Sequence, residues 1–333
     1  MCAEAAVAHE AVRRQIASGR FAELGGRLRA LKPRVVATCA RGSSDHAATF
    51  TKYLIETRAH VLTASLAPSI ASIYRAETML QGALVLLISQ SGASPDLLAT
   101  AESAKRAGAF VLALVNAENA PLAAIAHETL PLCAGPERSV AATKSFLASL
   151  SALIGLVAHW TEDNELIAAH TAAPDLLQRA WTLDWSAATP TLAQASSLYV
   201  IARGIGFGAA GEAALKLKET CGLHAEAYSA AEARHGPMAL VAPGFPLLLF
   251  AQDDEAGASV SEFAADAAAR GARAFIAGVS APGATRLPTL HADVALQPML
   301  AIQSFYRLAH DVALARGRNP DAPPHLTKVT ETL

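Results

Sequence analysis

Residues 83–96, ALVLLISQSGASPD, decide the fold class of this chain. The apolar first half predicts a strand buried on both faces, because a half-exposed strand would alternate with polar residues. The second half predicts a turn that leads into a helix beginning near Pro95. Backbone N–H groups and the positive end of the helix dipole would make this turn an anion site, although an ordinary N-cap and turn would use the same residue types.

Strand-like and helix-like runs alternate along the rest of the chain. This alternation predicts an α/β protein in which mainly parallel sheets are covered by helices on both faces. The predicted strands lie at 34–40, 83–89, 110–116, 129–133, 198–203, 246–252 and 274–279. The predicted helices lie at 45–58, 95–107, 139–160, 206–221, 255–270 and 298–316.

The two halves of the chain repeat each other. The tripeptide Ala-Arg-Gly at 40–42 recurs at 202–204, and Gln90 at the end of a strand recurs as Gln252, a shift of 162 residues in both cases. We therefore predict two tandem three-layer αβα domains, 31–165 and 170–316, joined near 161–174. A helical segment, 1–30, precedes them, and a tail, 317–333, follows.

The two copies differ at the ends of their strands, where ligands of such sheets bind. The second copy has Ala251 and Asp253 where the first has Ser89 and Ser91, and a carboxylate there would repel a phosphate. The first copy is therefore expected to anchor the anion. Its strand ends carry hydroxyl groups at Ser43, Ser44, Ser89, Ser91 and Ser94.

Composition narrows the function. The chain has 333 residues, 52% of them hydrophobic, and a formal net charge of −2, which argues against disorder, a nucleic-acid partner or an anionic membrane surface. No apolar run reaches membrane-spanning length, and the N-terminus lacks the features of a signal peptide. Four cysteines without CxxC spacing and eleven histidines without HExxH spacing predict reduced thiols, a cytoplasmic protein and no metal site.

Three further segments carry groups that could do chemistry. Lys216 and Glu219 share one face of a predicted helix, whereas Lys218 points elsewhere; a solvated charged face is the alternative. His235, in a His-Gly-Pro turn, is either an acid/base group or a surface residue. The tail around Lys328 is either frayed or packed back with that lysine directed inward.

Two other patterns are interpreted structurally. The stretch 204–208, GIGFG, lacks the third glycine and the later acidic residue of a dinucleotide loop, so close packing of a strand against a helix is favoured. Cys221 is interpreted as a small buried residue and not as a nucleophile.

Together these segments resemble the SIS (sugar isomerase) family over about residues 34–328. Within it the chain is most similar to the isomerase half of the glucosamine-6-phosphate synthases and to the type II glucosamine-6-phosphate deaminases. The stretches that carry the resemblance are RGSS at 41–44, SQSG at 89–92, VAATKSF at 140–146, KLKE at 216–219, HAEAY at 224–228, HGP at 235–237 and LTK at 326–328.

The resemblance implies a role for each of these residues. Glu219 would move a proton between C1 and C2, His235 would open the sugar ring, and Lys328 and Lys216 would act near the reacting carbonyl. Ser43, Val140 and Ala142 would line the sugar; the synthases usually have Ser where Ala142 stands. The phosphate would be held by Ser44, Ser89, Gln90, Ser91 and Ser94.

The resemblance also implies an activity. About 30 residues precede the first predicted strand, too few for a glutaminase domain, so Cys2 is not expected to be its nucleophile. We therefore expect conversion of glucosamine 6-phosphate and water to fructose 6-phosphate and ammonia, without a cofactor. The alternatives are an aldose/ketose phosphosugar isomerase, a fructosamine-phosphate deglycase, or a non-catalytic phosphosugar sensor. We expect a homodimer, in which His235 acts either in its own subunit or, as the resemblance to the synthases implies, across the interface.

Overall fold

The computed structural model describes residues 1–117 and 119–328. They form two compact units, each an α/β unit with one sheet. The N-terminal unit comprises Ala8–Glu137, Lys144–Pro174 and residues 327–328; the C-terminal unit comprises Met1–Val7, Arg138–Thr143 and Asp175–Leu326. None of the described helices is long and apolar enough to cross a membrane.

The N-terminal unit has a parallel five-stranded sheet in the order β2-β1-β3-β4-β5. Its strands are β1 (Val36–Ala40), β2 (Thr63–Ser65), β3 (Leu84–Ser89), β4 (Phe110–Val115) and β5 (Glu128–Pro131). Its helices are α2 (Ala8–Ala17), α3 (Arg20–Leu31), α4 (Ser43–Arg58), α5 (Pro68–Ser72), α6 (Pro95–Arg106), α7 (Pro121–Ile125) and α8 (Lys144–Thr161). Every residue of β3 is buried, as the apolar run predicts.

The C-terminal unit repeats this topology. Its sheet has the order β10-β9-β8-β6-β7, again parallel throughout. The strands are β6 (Ser197–Ala202), β7 (His224–Ser229), β8 (Pro246–Ala251), β9 (Arg273–Gly278) and β10 (Thr285–Leu287). The helices are α1 (Cys2–Ala6), α10 (Thr189–Gln194), α11 (Phe207–Cys221), α12 (Ala230–Arg234), α13 (Glu255–Ala269) and α14 (Gln297–Ala315). Helix α9 (Asn164–Trp181) contains the boundary between the two units, at Pro174.

The predicted α/β fold of two parallel-sheet domains is confirmed. Ala40 and Ala202 end the equivalent strands β1 and β6, and Gln90 and Gln252 directly follow the equivalent strands β3 and β8. Most predicted elements agree with the structure to within two residues. The hydrophobic pattern did not predict the edge strands β2, β7 and β10 or helix α9 across the predicted junction.

One predicted helix begins later than expected. The pattern predicts a helix from residue 139, but α8 begins at Lys144. The cause is Glu137, whose carboxylate accepts hydrogen bonds from the backbone N–H of Ser145 at 3.2 Å and from its hydroxyl at 2.6 Å. This carboxylate therefore satisfies a donor in the first turn, as an N-capping group does, and residues 139–143 remain a turn.

Candidate functional site

Six polar residues surround the point in the N-terminal sheet where β1 and β3 are neighbours. The two strands pair in register, with Ala40 opposite Ile88, so that the segments following them start side by side. In a sheet of order 2-1-3-4-5 this is the topological switch point, at which ligands bind. We call these six residues the serine cradle: Ser43, Ser44, Ser89, Gln90, Ser91 and Ser94.

Two helices begin at the cradle. Ser43 is the first residue of α4, and Ser94 is the N-cap of α6. The positive ends of their helix dipoles add positive potential there without a formal charge. Gly92, with φ +60°, permits the tight turn between β3 and α6, and a Cβ there would lie 2.5 Å from the Cβ of Ala120. The local sequence therefore builds a neutral anion site.

The cradle side chains are largely uncommitted. Ser89 and Ser91 accept hydrogen bonds from the backbone N–H groups of Gly92, at 3.0 Å, and Ala93, at 3.3 Å, which leaves their O–H groups able to donate outward. Ser94 makes no side-chain cap. Within residues 1–117 and 119–328 no hydrogen bond occupies the side chains of Ser43, Ser44, Gln90 or Ser94. An incoming ligand would therefore compete with few internal bonds.

An ion pair supports the base of the cradle. Asp96, fully buried in the first turn of α6, accepts bonds from Arg41 Nε at 2.8 Å and Nη2 at 2.6 Å. Arg41 follows β1, so the pair ties the segment after β1 to the helix after β3. Nearby, burial raises the pKa of Cys39 to about 12, although a hydrogen bond from Thr100 opposes this shift. The thiol is therefore protonated and unsuited to act as a nucleophile at neutral pH.

The C-terminal unit carries a line of three charged groups on α11. Lys216 forms ion pairs with Glu219, one turn ahead, and with Glu212, at 3.7 Å, one turn behind. Lys216 is 1% exposed and Glu212 is fully buried, whereas the Glu219 side chain is 22% exposed. Glu219 is therefore the member of the line that reaches solvent. The shared helix face of Lys216 and Glu219 is confirmed, and Lys218 points away, donating to the carbonyl of Ala225 at 3.1 Å.

A tyrosine extends this line to another helix. Tyr306, in α14 and fully buried, donates a hydrogen bond to Glu212 Oε1 at 2.8 Å. Glu212 and Tyr306 were missed from the sequence. The spacing of Glu212, Lys216 and Glu219, at i, i+4 and i+7 on one helix, could have revealed Glu212. No sequence signal links Tyr306 to them.

His235 lies at the end of a short helix in the C-terminal unit. It directly follows α12, and its backbone N–H bonds to the carbonyl of Glu232 at 2.9 Å. Its imidazole is exposed and has no hydrogen-bond partner in the part of the chain that the structure describes. The motif residues 224–228 form β7, where the hydroxyl of Tyr228 donates to Glu226 at 2.9 Å.

The tail lysine is paired within the N-terminal unit. Lys328 Nζ lies 3.5 Å from the carboxylate of Glu137, whose side chain is fully buried. The structure therefore favours the packed alternative, with Lys328 directed inward. Glu137 is a third residue that the sequence did not reveal, and it links the tail to the beginning of α8.

The remaining predicted residues lie in turns. Val140 and Ala142, both half-buried, belong to the turn 139–143, and the backbone N–H of Val140 lies 3.4 Å from the carbonyl of Asp321. In the GIGFG stretch, a Cβ on Gly206 would lie 2.0 Å from Oε1 of Gln252, so this glycine permits close packing. Cys221 is buried, and all four cysteines are free thiols. Within 1–117 and 119–328 no three His, Cys, Asp or Glu side chains are grouped as a metal site.

Comparisons with known proteins agree with this geometry. A glutamine–fructose-6-phosphate aminotransferase (isomerizing) from Aeropyrum pernix is 36% identical over 86% of the chain and 49% of its own length. A homologous aminotransferase from Symbiobacterium thermophilum is 35% identical over 89% of the chain and 51% of its own length. The chain thus spans about half the length of these curated relatives.

Solved structures show the same fold. A candidate phosphosugar isomerase from Silicibacter pomeroyi DSS-3 is 41% identical, with a TM-score of 0.92 over 96% of this chain and 99% of that one. The glucosamine-6-phosphate deaminase of Thermotoga maritima shares the fold alone, at 21% identity and a TM-score of 0.73 over 97% of this chain and 100% of that one. The model of the SIS domain matches residues 32–158 and 191–280. The chain belongs to the SIS domain family.

Proposed function

We propose that this protein is an aminosugar-phosphate deaminase that converts glucosamine 6-phosphate and water into fructose 6-phosphate and ammonia. The observation that carries the proposal is the α11 line, in which a part-exposed carboxylate, Glu219, is paired with a buried cation, Lys216. An aldose–ketose shift needs one carboxylate to carry a proton between neighbouring carbons and a cation to stabilise the oxyanion that forms.

The serine cradle would hold the substrate by its phosphate. Its neutral hydroxyl and amide donors, together with two helix N-termini, can bind a dianion without help from the chain's net charge. Binding the remote phosphate would supply the energy that orients C1 and C2 for reaction. Ser43, Val140 and Ala142 would line the sugar.

The proposed reaction is an aldose–ketose shift followed by hydrolysis of an imine. His235 transfers protons as the ring opens to the C1 aldehyde. Glu219 removes the proton on C2, giving an enol-type intermediate whose negative oxygen Lys216 and Lys328 stabilise, and then delivers that proton to C1. The oxygen on C1 takes up a proton while the amino nitrogen gives one up, which leaves an imine at C2. The resulting C2 imine reacts with water, which releases ammonia and leaves the ketone of fructose 6-phosphate.

The proposal is tested by measuring ammonia and fructose 6-phosphate released from glucosamine 6-phosphate by the purified protein. Glu219→Gln should lower turnover by at least a thousandfold and leave binding of the sugar phosphate within about threefold. Glu262→Gln, an exposed glutamate on α13, is the matched control and should keep full activity. Survival of turnover in Glu219→Gln would refute the assignment of the proton carrier. Interconversion of ketose and aldose phosphates without ammonia would replace the deaminase by a phosphosugar isomerase.

We also propose that the protein works as a cytoplasmic homodimer in which His235 serves the site of a second copy. The exposed imidazole of His235, which has no hydrogen-bond partner among the described residues, supports its action in a second copy. The four free thiols support a cytoplasmic protein. Mixing inactive Glu219→Gln with inactive His235→Asn protein should restore activity, because some mixed dimers would contain one intact site. The proposal would be contradicted if verified mixed dimers stayed inactive. It would also be contradicted if light scattering showed that the fully active protein is a monomer.

A further inference from the structure

A cleft of about 430 Å³ opens in the C-terminal unit, at the carboxyl ends of β8 and β9. The first two turns of α14 form part of its wall through Leu300 and Ser304, and the segment following β9 closes another side. We call it the β8–β9 cleft. Its volume lies within the range of small-molecule sites in proteins, and it shares no residue with the serine cradle or the α11 line.

Besides the buried Gln252, whose Oε1 has no partner among the described residues, five polar side chains of the cleft are uncommitted. Within residues 1–117 and 119–328 none of them takes part in a hydrogen bond or an ion pair through its side chain. By contrast, Gln297 and Ser304, which also line the cleft, are bonded internally. The five uncommitted residues are Asp253, Ser280, Arg286, Thr289 and His291. A group of polar side chains that converge on one cleft without internal partners is what a ligand site requires.

The duplicated fold does not by itself require an open cleft at this position, because the corresponding space in the N-terminal unit is filled. In the N-terminal unit the segment after β4 folds back on the neighbouring strand end: Leu122, fully buried, donates its backbone N–H to the carbonyl of Gly92 at 3.0 Å. Ala120 packs against the same glycine. In the C-terminal unit the segment after β9 leads instead to β10, and no short helix equivalent to α7 is found there among the described residues. The C-terminal unit therefore has an open cleft at the position that the segment after β4 fills in the N-terminal unit.

Charge divides the β8–β9 cleft into two ends. Arg286 lies in β10 and His291 shortly after it, whereas Asp253 follows β8. Strand β9 lies between β10 and β8, so the two ends lie on opposite sides of β9. Asp253 disfavours an anion at its own end, and Arg286 and His291 favour one at the other.

We propose that the β8–β9 cleft is a second ligand site, which binds a small phosphomonoester that also carries an amino or hydroxyl group. Arg286 and His291 hold the phosphate, since a guanidinium offers several donors to its oxygens. Asp253 accepts from the amino or hydroxyl groups at the far end. Occupation of this site does not require the serine cradle to hold a substrate.

The test uses a chain with Ser89→Ala and Ser91→Ala, which weakens the cradle, and follows hydrogen–deuterium exchange and calorimetric binding with glucosamine 6-phosphate. We expect slower exchange in residues 279–297. Arg286→Ala should weaken binding by about tenfold, and Asp253→Asn should remove the preference for glucosamine 6-phosphate over inorganic phosphate. Arg273→Ala, at the opposite end of β9, is the matched control and should bind normally.

Unchanged exchange in 279–297 with glucosamine 6-phosphate, N-acetylglucosamine 1-phosphate and AMP, each at millimolar concentration, would overturn the second site. Unchanged affinity in an Arg286→Ala protein of normal thermal stability would overturn it as well. In the chain with both serines intact, protection confined to residues 41–46 and 89–97 would support the cradle and overturn the second site. Protection confined to residues 279–297 would support the second site and overturn the serine cradle as a phosphate site.

Discussion

The hydroxyl of Tyr306 donates a 2.8 Å hydrogen bond to the carboxylate of Glu212, and both side chains are fully buried. The two residues are 94 positions apart and join α14 to α11. Glu212 in turn faces the ammonium group of Lys216. A buried carboxylate between a tyrosine and a lysine therefore anchors the residues proposed to act on the substrate.

Tyr306→Phe removes the hydroxyl and keeps the ring. Because a buried carboxylate loses a donor, the free energy of unfolding should fall by about 1–2 kcal/mol, measured by urea denaturation. Tyr74→Phe is the matched control, since Tyr74 is 72% exposed and its loss should change stability by less than about 0.5 kcal/mol. Equal stability of both variants would show that this bond contributes nothing.

The ion pair of Arg41 and Asp96 should be worth far more than an exposed pair. Arg41→Ala leaves a fully buried carboxylate without its two guanidinium bonds, so we expect a loss of about 3 kcal/mol in urea unfolding. Arg234→Ala breaks the pair with Asp266, in which both side chains are about half exposed, and should cost less than about 1 kcal/mol. Similar losses in the two variants would contradict this ranking.

Ser89→Ala combined with Ser91→Ala should weaken binding of a sugar phosphate. Each hydroxyl contributes one donor, so the dissociation constant should rise by one to two orders of magnitude in calorimetry. Ser65→Ala, on the edge strand β2, is the matched control and should bind as the unchanged protein does. Unaltered affinity in the double variant would rule out the cradle as the phosphate site.

His170 should make stability depend on pH. Burial lowers its pKa to about 4, and its Nε2 lies 2.9 Å from the hydroxyl of Ser151. The unfolded chain, with an imidazole pKa near 6.5, binds the proton more readily, so stability is lost as pH falls from about 6.5 towards 4. Between pH 7.5 and 5.0 this histidine alone should account for a loss of about 2 kcal/mol.

The measurement is urea unfolding at both pH values for His170→Gln. Its loss between pH 7.5 and 5.0 should be smaller than that of the unchanged protein by about 2 kcal/mol. His60→Gln, an exposed histidine, is the control and should keep the full pH dependence. The same slope in all three proteins would contradict the effect of burial on His170.

The hydrophobic pattern was enough to predict the central strands but not the edges. Strands β3 and β8 have six residues each, are mostly apolar and are buried on both faces, as is typical of central parallel strands. Strands β2 and β10 have three residues each, and β7 is mostly part-buried, so their strand character comes from pairing with β1, β9 and β6. Pairing is a tertiary property and leaves little trace in a short segment.

By itself, the sequence determined the duplicated parallel fold, the position of hydroxyl groups after β1 and β3, and the common helix face of Lys216 and Glu219. Each depends on local periodicity or on neighbours within one turn. Only the tertiary structure decided that Tyr306 meets Glu212, that Lys328 meets Glu137 and that the β8–β9 cleft stays open. These depend on how segments distant in sequence pack together, which no local pattern encodes.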